Sequence, residues 1–457
     1  MLRLSETVAA LNAQRAGADI AFTGVSSDSR AVAAGELFVA LKGERFDGHD
    51  YVAQVIAQGA TAALVDHADP AWGDFPLLIV ADTRLALGAL AGLWRSRFGI
   101  PVVGLTGSSG KTTVKEMIAA ILRTQAGDDA VLATKGNLNN DIGLPLTLLG
   151  LRGHHRYAVI EMGMNHPGEI AYLTHIAQPD IALIVNAQAA HLAGLGTVEA
   201  VAHAKGEIFE GLAANGTAVI NADDPHAALW QKLAAGYRTI GFGLNPSAEV
   251  SGTCRLLPFG SEIDMLTPAG KFTVTLPVPG EHNARNALAA AAVAVALGIE
   301  NAVIAAGLAK VSSVKGRMQK NPCLHGATLI DDTYNANPGS VRAAIAVLAG
   351  LPGKKILVLG DMGELGADAR ALHAEIGAVA KAAGIDGLLT LGDLSAAAAE
   401  AFGAGGRHFE YIEDLLHDIE NRLAPEVTVL VKGSRFMQME RVVKSFVARE
   451  DSTCCSH

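Results

Sequence analysis

Little in this chain suggests a disulfide scaffold, a zinc ribbon, a membrane span or a nucleic-acid groove. It has four cysteines, Cys254, Cys323, Cys454 and Cys455. No two are spaced as Cys-x-x-Cys, so neither a metal knuckle nor a disulfide framework is indicated, and a reducing compartment fits. The final CCSH lacks the aliphatic middle positions of a prenylation signal. Long apolar runs are missing too: the Ala-rich stretch from Ala287 to Ile299 covers about 13 residues where a span needs roughly 20. It is expected to be a buried helix, with no membrane insertion. Basic charge is scarce, with 36 Lys and Arg against 46 Asp and Glu and a net charge of −10. That argues against nucleic acid as a partner. The opening MLRLSETVAALNAQ, with Glu6 inside it, lacks the charged-then-apolar build of a secretion signal, so a cytoplasmic location is expected. No internal repeat or low-complexity tract stands out.

What is present is apolar and alternating. Half of the 457 residues are hydrophobic, enough for two to four domains with large cores. Residues 1–82 mix helices with short strands expected at Glu36–Leu41, Ala62–Val65 and Leu77–Val80. A helix over Thr83–Phe98, ending before Gly99 and Pro101, reads as a connector. Strands expected at Pro101–Leu105, Tyr157–Met162, Ile181–Asn186 and Thr217–Asn221 then alternate with helices, and a strand-like stretch at 272–279 precedes the Ala-rich helix. Beyond Lys315-Gly316-Arg317 the alternation restarts at Thr328–Asp332, Lys355–Leu359, Gly387–Leu391 and Val427–Val431. Such alternation implies parallel sheets with crossover helices. The fold class is therefore α/β in three domains. Residues 1–82 are a small mixed α/β N-terminal domain. Residues 83–313 are a central P-loop-type parallel-sheet ATPase domain. Residues 314–457 are a C-terminal Rossmann-like α/β domain, without the GxGxxG of a dinucleotide site.

The most informative stretch is VVGLTGSSGKTTVKEMIAAIL, residues 102–122. An apolar strand runs into Thr106, Gly107, Ser108, Ser109 and Gly110, then Lys111, Thr112 and Thr113 open an amphipathic helix. Free backbone N–H groups beside a helix N-terminus form an anion site. Lys111 would reach the outer phosphates of a nucleotide and Thr112 a Mg²⁺ ion. The loop is shorter than the usual P-loop, because position 105 is Leu rather than Gly. Other polar residues fall at strand carboxyl ends, where open parallel sheets bind ligands: Glu161 closes YAVIEMG, and Asn186 closes IALIVN with His191 five residues on. Carboxylate and imidazole beside a phosphate loop suit Mg²⁺ held partly by protein and partly by phosphate. TKGNLNNDIGLP carries Asn137, Asn139 and Asn140, and DDTYNANP carries Asn335 and Asn337; both read equally as turns. In GEHNARN, Asn283 suits a helix cap, or with Asn286 the edge of a purine.

TGSSGKTT resembles the shorter TGxxGKT phosphate loop of the Mur ligase superfamily. Further matches run through nearly the whole chain in that family's order: SSDSR, GNLNNDIGLP, EMGM, AHL at 190–192, HAKGEIF, GEHNARN, GR at 316–317, DDTYNANP, GDMGELG and KGSR. NLNNDIG, DDTYNANP and GDMGELG resemble the branch that joins D-Ala-D-Ala to UDP-MurNAc-tripeptide through an acyl phosphate. The resemblance implies ATP and two Mg²⁺ ions. Lys111, Lys205, His191 and Arg317 would be catalytic. Thr112, Glu161, His191 and Lys205 would serve the metals, with Lys205 carbamoylated. His282, Asn283 and Asn286 would meet adenine, and Arg317 and Asp332 phosphate and ribose. Ser27, Asp28, Ser29 and Arg30, with Phe46, Asp47, Gly48 and His49, would hold the uridine nucleotide. Asn137, Asn139, Asn140, Asn335 and Asn337, with Glu364 farther on, would serve the remaining substrate. Tyr334 stands where some relatives carry lysine, so no role follows for it. A monomer is expected, closing around the 310–317 linker. Two rivals are another amide ligase of the superfamily, such as a folylpolyglutamate synthase, and a nucleotide-driven switch.

Overall fold

The computed structural model describes residues 1–190 and 192–448. They form three α/β domains, each built on its own sheet. The N-terminal sheet has five strands in the order Gln14–Ala16, Leu77–Ile79, Ala62–Val65, Glu36–Val39 and Gly24–Ser26. The first is antiparallel to its neighbour and the rest are parallel. A two-stranded ribbon of Leu2–Arg3 and Ala21–Phe22 stands beside it. The helix Thr83–Arg95 follows directly. It is more than a connector: Leu87, Leu90 and Ala91 are fully buried in a core shared by Leu37 and Leu64 of the N-terminal sheet and Ile160 and Leu173 of the central domain.

The central sheet has nine strands. Val131–Ala133, Tyr157–Glu161, Val102–Thr106, Ile181–Ile184, Thr217–Asn221 and Arg238–Gly243 are parallel, in that spatial order. The four inner strands, Tyr157–Glu161, Val102–Thr106, Ile181–Ile184 and Thr217–Asn221, are buried almost throughout, as strands covered on both faces must be. Val250–Leu257, Gly260–Thr267 and Gly270–Leu276 extend the sheet as an antiparallel meander. The sequence reading placed only the last of these. The other two interleave Arg255, Glu262 and Asp264 with their apolar positions, because one face of an antiparallel edge meets water. The Ala-rich segment is the helix Glu281–Ala296, buried from Ala287 to Ala294 against this sheet. Its small side chains let the helix lie close to the phosphate-loop helix Lys111–Ala126.

The third sheet has six strands. Gln319–Pro322 is antiparallel to Thr328–Asp332, and Val427–Lys432, Lys354–Gly360, Gly387–Leu391 and Gly406–Phe409 continue it in parallel. Among the described residues no helix is long and apolar enough to cross a membrane.

Candidate active site

The carboxyl edges of the central and third sheets face one another across a cavity of about 1300 Å³. Strand Val102–Thr106 delivers the phosphate loop to this cavity. Gly110 adopts φ +82°, and a Cβ there would lie 2.7 Å from Asn286 Oδ1, so only glycine lets the loop turn against the Ala-rich helix. Lys111 Nζ donates to Gly107 O at 2.6 Å, folding back over the loop. Thr106 contributes differently from its neighbours: its hydroxyl donates to Met162 O and ties two strands together.

Thr112 is the junction. Its hydroxyl donates to Glu161 Oε2 at 2.9 Å and accepts from Arg317 Nη2 at 2.9 Å. One side chain thus links the phosphate loop, the end of strand Tyr157–Glu161 and the first residues of the third domain. Asn139 Nδ2 donates to the other Glu161 oxygen at 2.8 Å. Glu161 is 2 % exposed, and among the described residues no Lys or Arg forms an ion pair with it. A buried carboxylate whose side-chain donors among the described residues are neutral fits a hard divalent cation. Arg317 stacks 4.0 Å from the ring centre of Tyr334, which gives that tyrosine a position the sequence reading left open.

Two amines belong to this region: Lys111, half-buried, lines the cavity, and Lys205, buried, is not among the residues lining it. Burial holds Lys111 below the usual lysine pKa, opposed by the charge of Glu161 and reinforced by Arg317. Burial, and then Lys111, push Lys205 well below it. Lys205 sits at the end of helix Val198–Gly206 and is 1 % exposed. His191 lies outside the described residues.

Another wall of the cavity is made by the start of helix Glu281–Ala296. Burial, then Lys432 and Arg285, hold His282 down to about 4, so it stays neutral. The helix cap is Gly280 rather than Asn283. Asn283 donates to Pro279 O at 2.7 Å and accepts from Asn286 Nδ2 at 3.1 Å, so the two amides brace each other. From the third sheet, Asp332 accepts from Lys432 Nζ at 2.6 Å and from Met318 N at 3.1 Å. Asn335 accepts from the N–H of Ala336. Asn337 caps helix Pro338–Ala349 through Ser340 N and donates to Ser109 Oγ at 3.1 Å, reaching the phosphate loop across the cavity. Asn140 closes its own turn by accepting from Ile142 and Gly143. Asn137 lines the cavity beside it.

The expected uridine residues are elsewhere. Asp28 and Arg30 form a bidentate pair after strand Gly24–Ser26, with Ser27 and Ser29 beside them. Phe46 is exposed. Asp47 caps the turn Gly48–Tyr51 and holds His49 Nδ1 at 2.6 Å, while His49 Nε2 accepts from Asp66 N. These loops follow adjacent parallel strands, on the carboxyl edge of the N-terminal sheet, and none lines the large cavity. His49 has both ring nitrogens engaged and is part of the loop's framework.

Sequence reasoning missed several cavity residues. Gln188 and Tyr172 carry no motif. Yet three of the four buried side-chain atoms without a hydrogen-bond partner among the described residues, Gln188 Oε1, Arg317 Nε and Tyr172 Oη, belong to residues lining this cavity. Concentrated there, unmet hydrogen-bonding groups mark a ligand site. Lys432 stood inside the quoted KGSR, but only its distance to Asp332 assigns it a task.

Three family models match the chain: "Mur ligase family, catalytic domain" over 21–92, "Mur ligase middle domain" over 105–294 and "Mur ligase, glutamate ligase domain" over 316–435. The UDP-N-acetylmuramoyl-tripeptide–D-alanyl-D-alanine ligase of Escherichia coli K12 is 47% identical over 99% of both chains. The Haemophilus influenzae ligase of the same name is 45% identical over 92% of this chain and 93% of its own. Crystal structure I of MurF from Acinetobacter baumannii superposes with a TM-score of 0.90 at 38% identity, covering 96% and 97% of the two chains. The UDP-N-acetylmuramoylalanyl-D-glutamyl-2,6-diaminopimelate–D-alanyl-D-alanyl ligase of the same organism gives 0.86 at 37%, with the same coverage. MurF from Thermotoga maritima, in complex with ADP, gives 0.81 at 31%, covering 92% and 96%. A folylpolyglutamate synthase of Mycobacterium tuberculosis, 18% identical with a TM-score of 0.62 over 79% and 94%, shares the fold.

Proposed function

The chain belongs to the Mur ligase family, and from that premise we propose how it joins D-alanyl-D-alanine to UDP-N-acetylmuramoyl-tripeptide with conversion of ATP to ADP and phosphate, a step of peptidoglycan precursor synthesis. The observation that carries the reading is the Thr112 hydroxyl, shared between Glu161 and Arg317. It joins in one place the phosphate loop, a buried acidic group and the domain that brings the second substrate.

An amide does not form from a carboxylate and an amine without activation. The terminal carboxylate of the tripeptide attacks the γ-phosphorus of ATP, the bond to the ADP oxygen breaks, and an acyl phosphate results. The free amine of D-Ala-D-Ala then attacks the acyl carbon, and the tetrahedral adduct expels phosphate as the nitrogen gives up a proton. Little covalent work falls to the protein; it positions the reactants and meets charge as charge moves. Lys111 and Arg317 face the transferring phosphoryl group. Thr112, Glu161 and Lys205, with His191, are the residues that would hold Mg²⁺. The metal, when bound, neutralises charge on the phosphate oxygens. Lys205 suits carbamoylation, in which the neutral amine takes up CO₂ and releases a proton, because its burial favours the uncharged amine that this addition needs.

Adenine and ribose are assigned to His282, Asn286 and Asp332, and the uridine nucleotide to the carboxyl edge of the N-terminal sheet. Asn335 and Asn337 are assigned to the dipeptide, since amides both donate to a carboxylate and accept from an ammonium group. The third residue of the tripeptide is assigned as 2,6-diaminopimelate, the residue for which the Acinetobacter ligase is named. The enzyme is assigned as a cytoplasmic monomer whose domains divide at 82/83 and 313/314.

Mass spectrometry of the products from UDP-MurNAc-tripeptide, D-Ala-D-Ala and ATP tests the reading. The expected result is one new species heavier by the dipeptide less water, with stoichiometric ADP and phosphate and little ATP consumed when either co-substrate is left out. Vigorous ATP turnover by the protein alone, with no ligated product, would restore the switch.

A further inference from the structure

One corner of the cavity carries charges that no step above uses. Asp82 caps helix Thr83–Arg95 by accepting from the backbone N–H of Arg84 and Leu85. Arg84, in the helix's first turn, reaches Asp141, just past the Asn137–Asn140 loop. Tyr172, on helix Glu169–Ala177, brings its phenol oxygen into the same corner, buried and without a partner among the described residues. Gly88, one turn beyond Arg84, makes the room: a Cβ there would lie 2.2 Å from that oxygen. Burial, and then the charges of Asp141 and Asp82, hold the Tyr172 hydroxyl above its usual pKa, so it remains a donor. Arg84, Asp82, Asp141 and Tyr172 all line the cavity.

None of this is explained by stability. A cation in the first turn of a helix opposes the helix dipole. The Arg84 side chain is 57% exposed, and ion pairs at that exposure contribute little. A buried hydroxyl without a partner is a cost. Together the groups match a ligand that offers a carboxylate to Arg84 and Tyr172 and an ammonium group to Asp141, which is the head of a free amino acid.

Position selects which one. Asp141 follows two residues after Asn139, whose amide holds Glu161. Consecutive Cα atoms are about 3.8 Å apart, so those two Cα atoms are within about 7.6 Å. A tripeptide whose terminal carboxylate reacts beside Glu161 has its third side chain within reach of this corner. Lysine would end there in an ammonium group alone. 2,6-Diaminopimelate ends in an amino group and a carboxylate on one carbon.

We infer that Arg84, Asp141 and Tyr172 read the distal amino-acid head of a 2,6-diaminopimelate residue: Arg84 and Tyr172 bind its carboxylate and Asp141 its ammonium group. This rests on the ligase reading above. The test compares wild type, Arg84→Met and Tyr172→Phe on two substrates, UDP-MurNAc-tripeptides ending in meso-diaminopimelate or in L-lysine, with the KM for ATP and the melting temperature measured alongside. Loss of a hydrogen bond to a charged group corresponds to roughly tenfold to a hundredfold. Arg84→Met should therefore raise KM for the diaminopimelate substrate by about that factor more than KM for the lysine substrate or for ATP. Tyr172→Phe should do the same to a smaller extent. Equal losses on both tripeptides would place Arg84 against a shared group, such as the carboxylate of the second residue, and overturn the assignment, as would no loss on either. A wild-type protein that ligates neither tripeptide would instead bring down the ligase reading, and this inference with it.

Discussion

The two larger sheets turn the same kind of edge toward the cavity and equip it in opposite ways. On the central sheet Lys111, Lys205 and Glu161 form no ion pairs among the described residues. Lys205 is buried in the field of the half-buried Lys111, Glu161 accepts from Thr112 and Asn139, and Arg317 Nε, which lines the cavity from the other side, has no partner among the described residues. On the third sheet the edge is bonded to itself. Lys432 Nζ meets Asp332 Oδ2 at 2.6 Å and Asn335 O at 2.9 Å. Ser434 Oγ accepts from Gly363 N and donates to Ala336 O. Asp361 accepts from the N–H of Leu394 and Ser395. DDTYNANP, GDMGELG and KGSR are thus one bracket. Buried charge without a counter-charge lowers stability until a ligand supplies it. A network already satisfied gains little from a ligand. On the proposed reading, phosphates and metal complete the first edge, while the second holds its shape and presents a few groups.

Removing charge from the unpaired edge should give the largest effect on activity and none of the usual penalty in stability. Lys111→Met is expected to lower kcat by roughly 10³-fold to 10⁵-fold, the range for a cation that stabilises a transferring phosphoryl group. The same variant should melt at the wild-type temperature or above it. Because the folded state holds Lys111 below the ordinary lysine value of 10.5, the unfolded chain binds more protons in that interval. Wild type should therefore gain stability relative to the variant as pH rises toward 10.5. Thermal melts across alkaline pH would show it. A variant that melts lower at every pH yet turns over normally would remove the contrast between the edges.

The satisfied edge should respond the other way. Lys432→Met leaves Asp332 buried with one backbone donor, and breaking a buried pair on one side costs about 3 kcal/mol or more. The double variant Asp332→Asn with Lys432→Met should recover much of that loss. Denaturant titration of the single and double variants measures the difference. Equal stabilities would mean that the pair is not what holds the bracket.

How much was legible in the sequence divides along the same line. The phosphate loop, Glu161 at its strand end and the Ala-rich helix are local patterns, and local patterns survive in one dimension. Arg84 and Asp141 are 57 residues apart and meet because helix Thr83–Arg95 packs into the core that holds Leu144 and Leu148, just past Asp141. Lys115 has no role in the sequence reading; it is 1 % exposed, with Nζ at 2.6 Å from Thr134 O and 2.7 Å from Glu116. Thr134 in turn accepts from Glu161 N, so that lysine braces the strand end carrying the acidic group. Nothing in its neighbours announces this. The meander strands Val250–Leu257 and Gly260–Thr267 escaped because their charges hide the alternation. His49 has the residue type and motif of a ligand contact, yet its hydrogen bonds turn inward.

Asn337 sits where the two edges touch, and it should show the smallest effect and the finest distinction. Its Oδ1 accepts from Ser340 N as a helix cap, and its Nδ2 donates to Ser109 Oγ on the phosphate loop. Asn337→Ala loses both bonds and should lower stability by about 1 kcal/mol, the usual worth of a cap. Asn337→Asp keeps a capping oxygen and removes only the donor, so its melting temperature should stay near wild type. If Asn337 serves the dipeptide, its Nδ2 leaves Ser109 for the incoming carboxylate. Asn337→Asp should then raise KM for D-Ala-D-Ala about tenfold, because a carboxylate repels a carboxylate, with smaller changes for ATP and the UDP substrate. If the residue only pins the third domain to the phosphate loop, the KM for ATP should move at least as far as that for the dipeptide. In that case the dipeptide's carboxylate is bound by another group on the third sheet, and the bracket contributes position without contact.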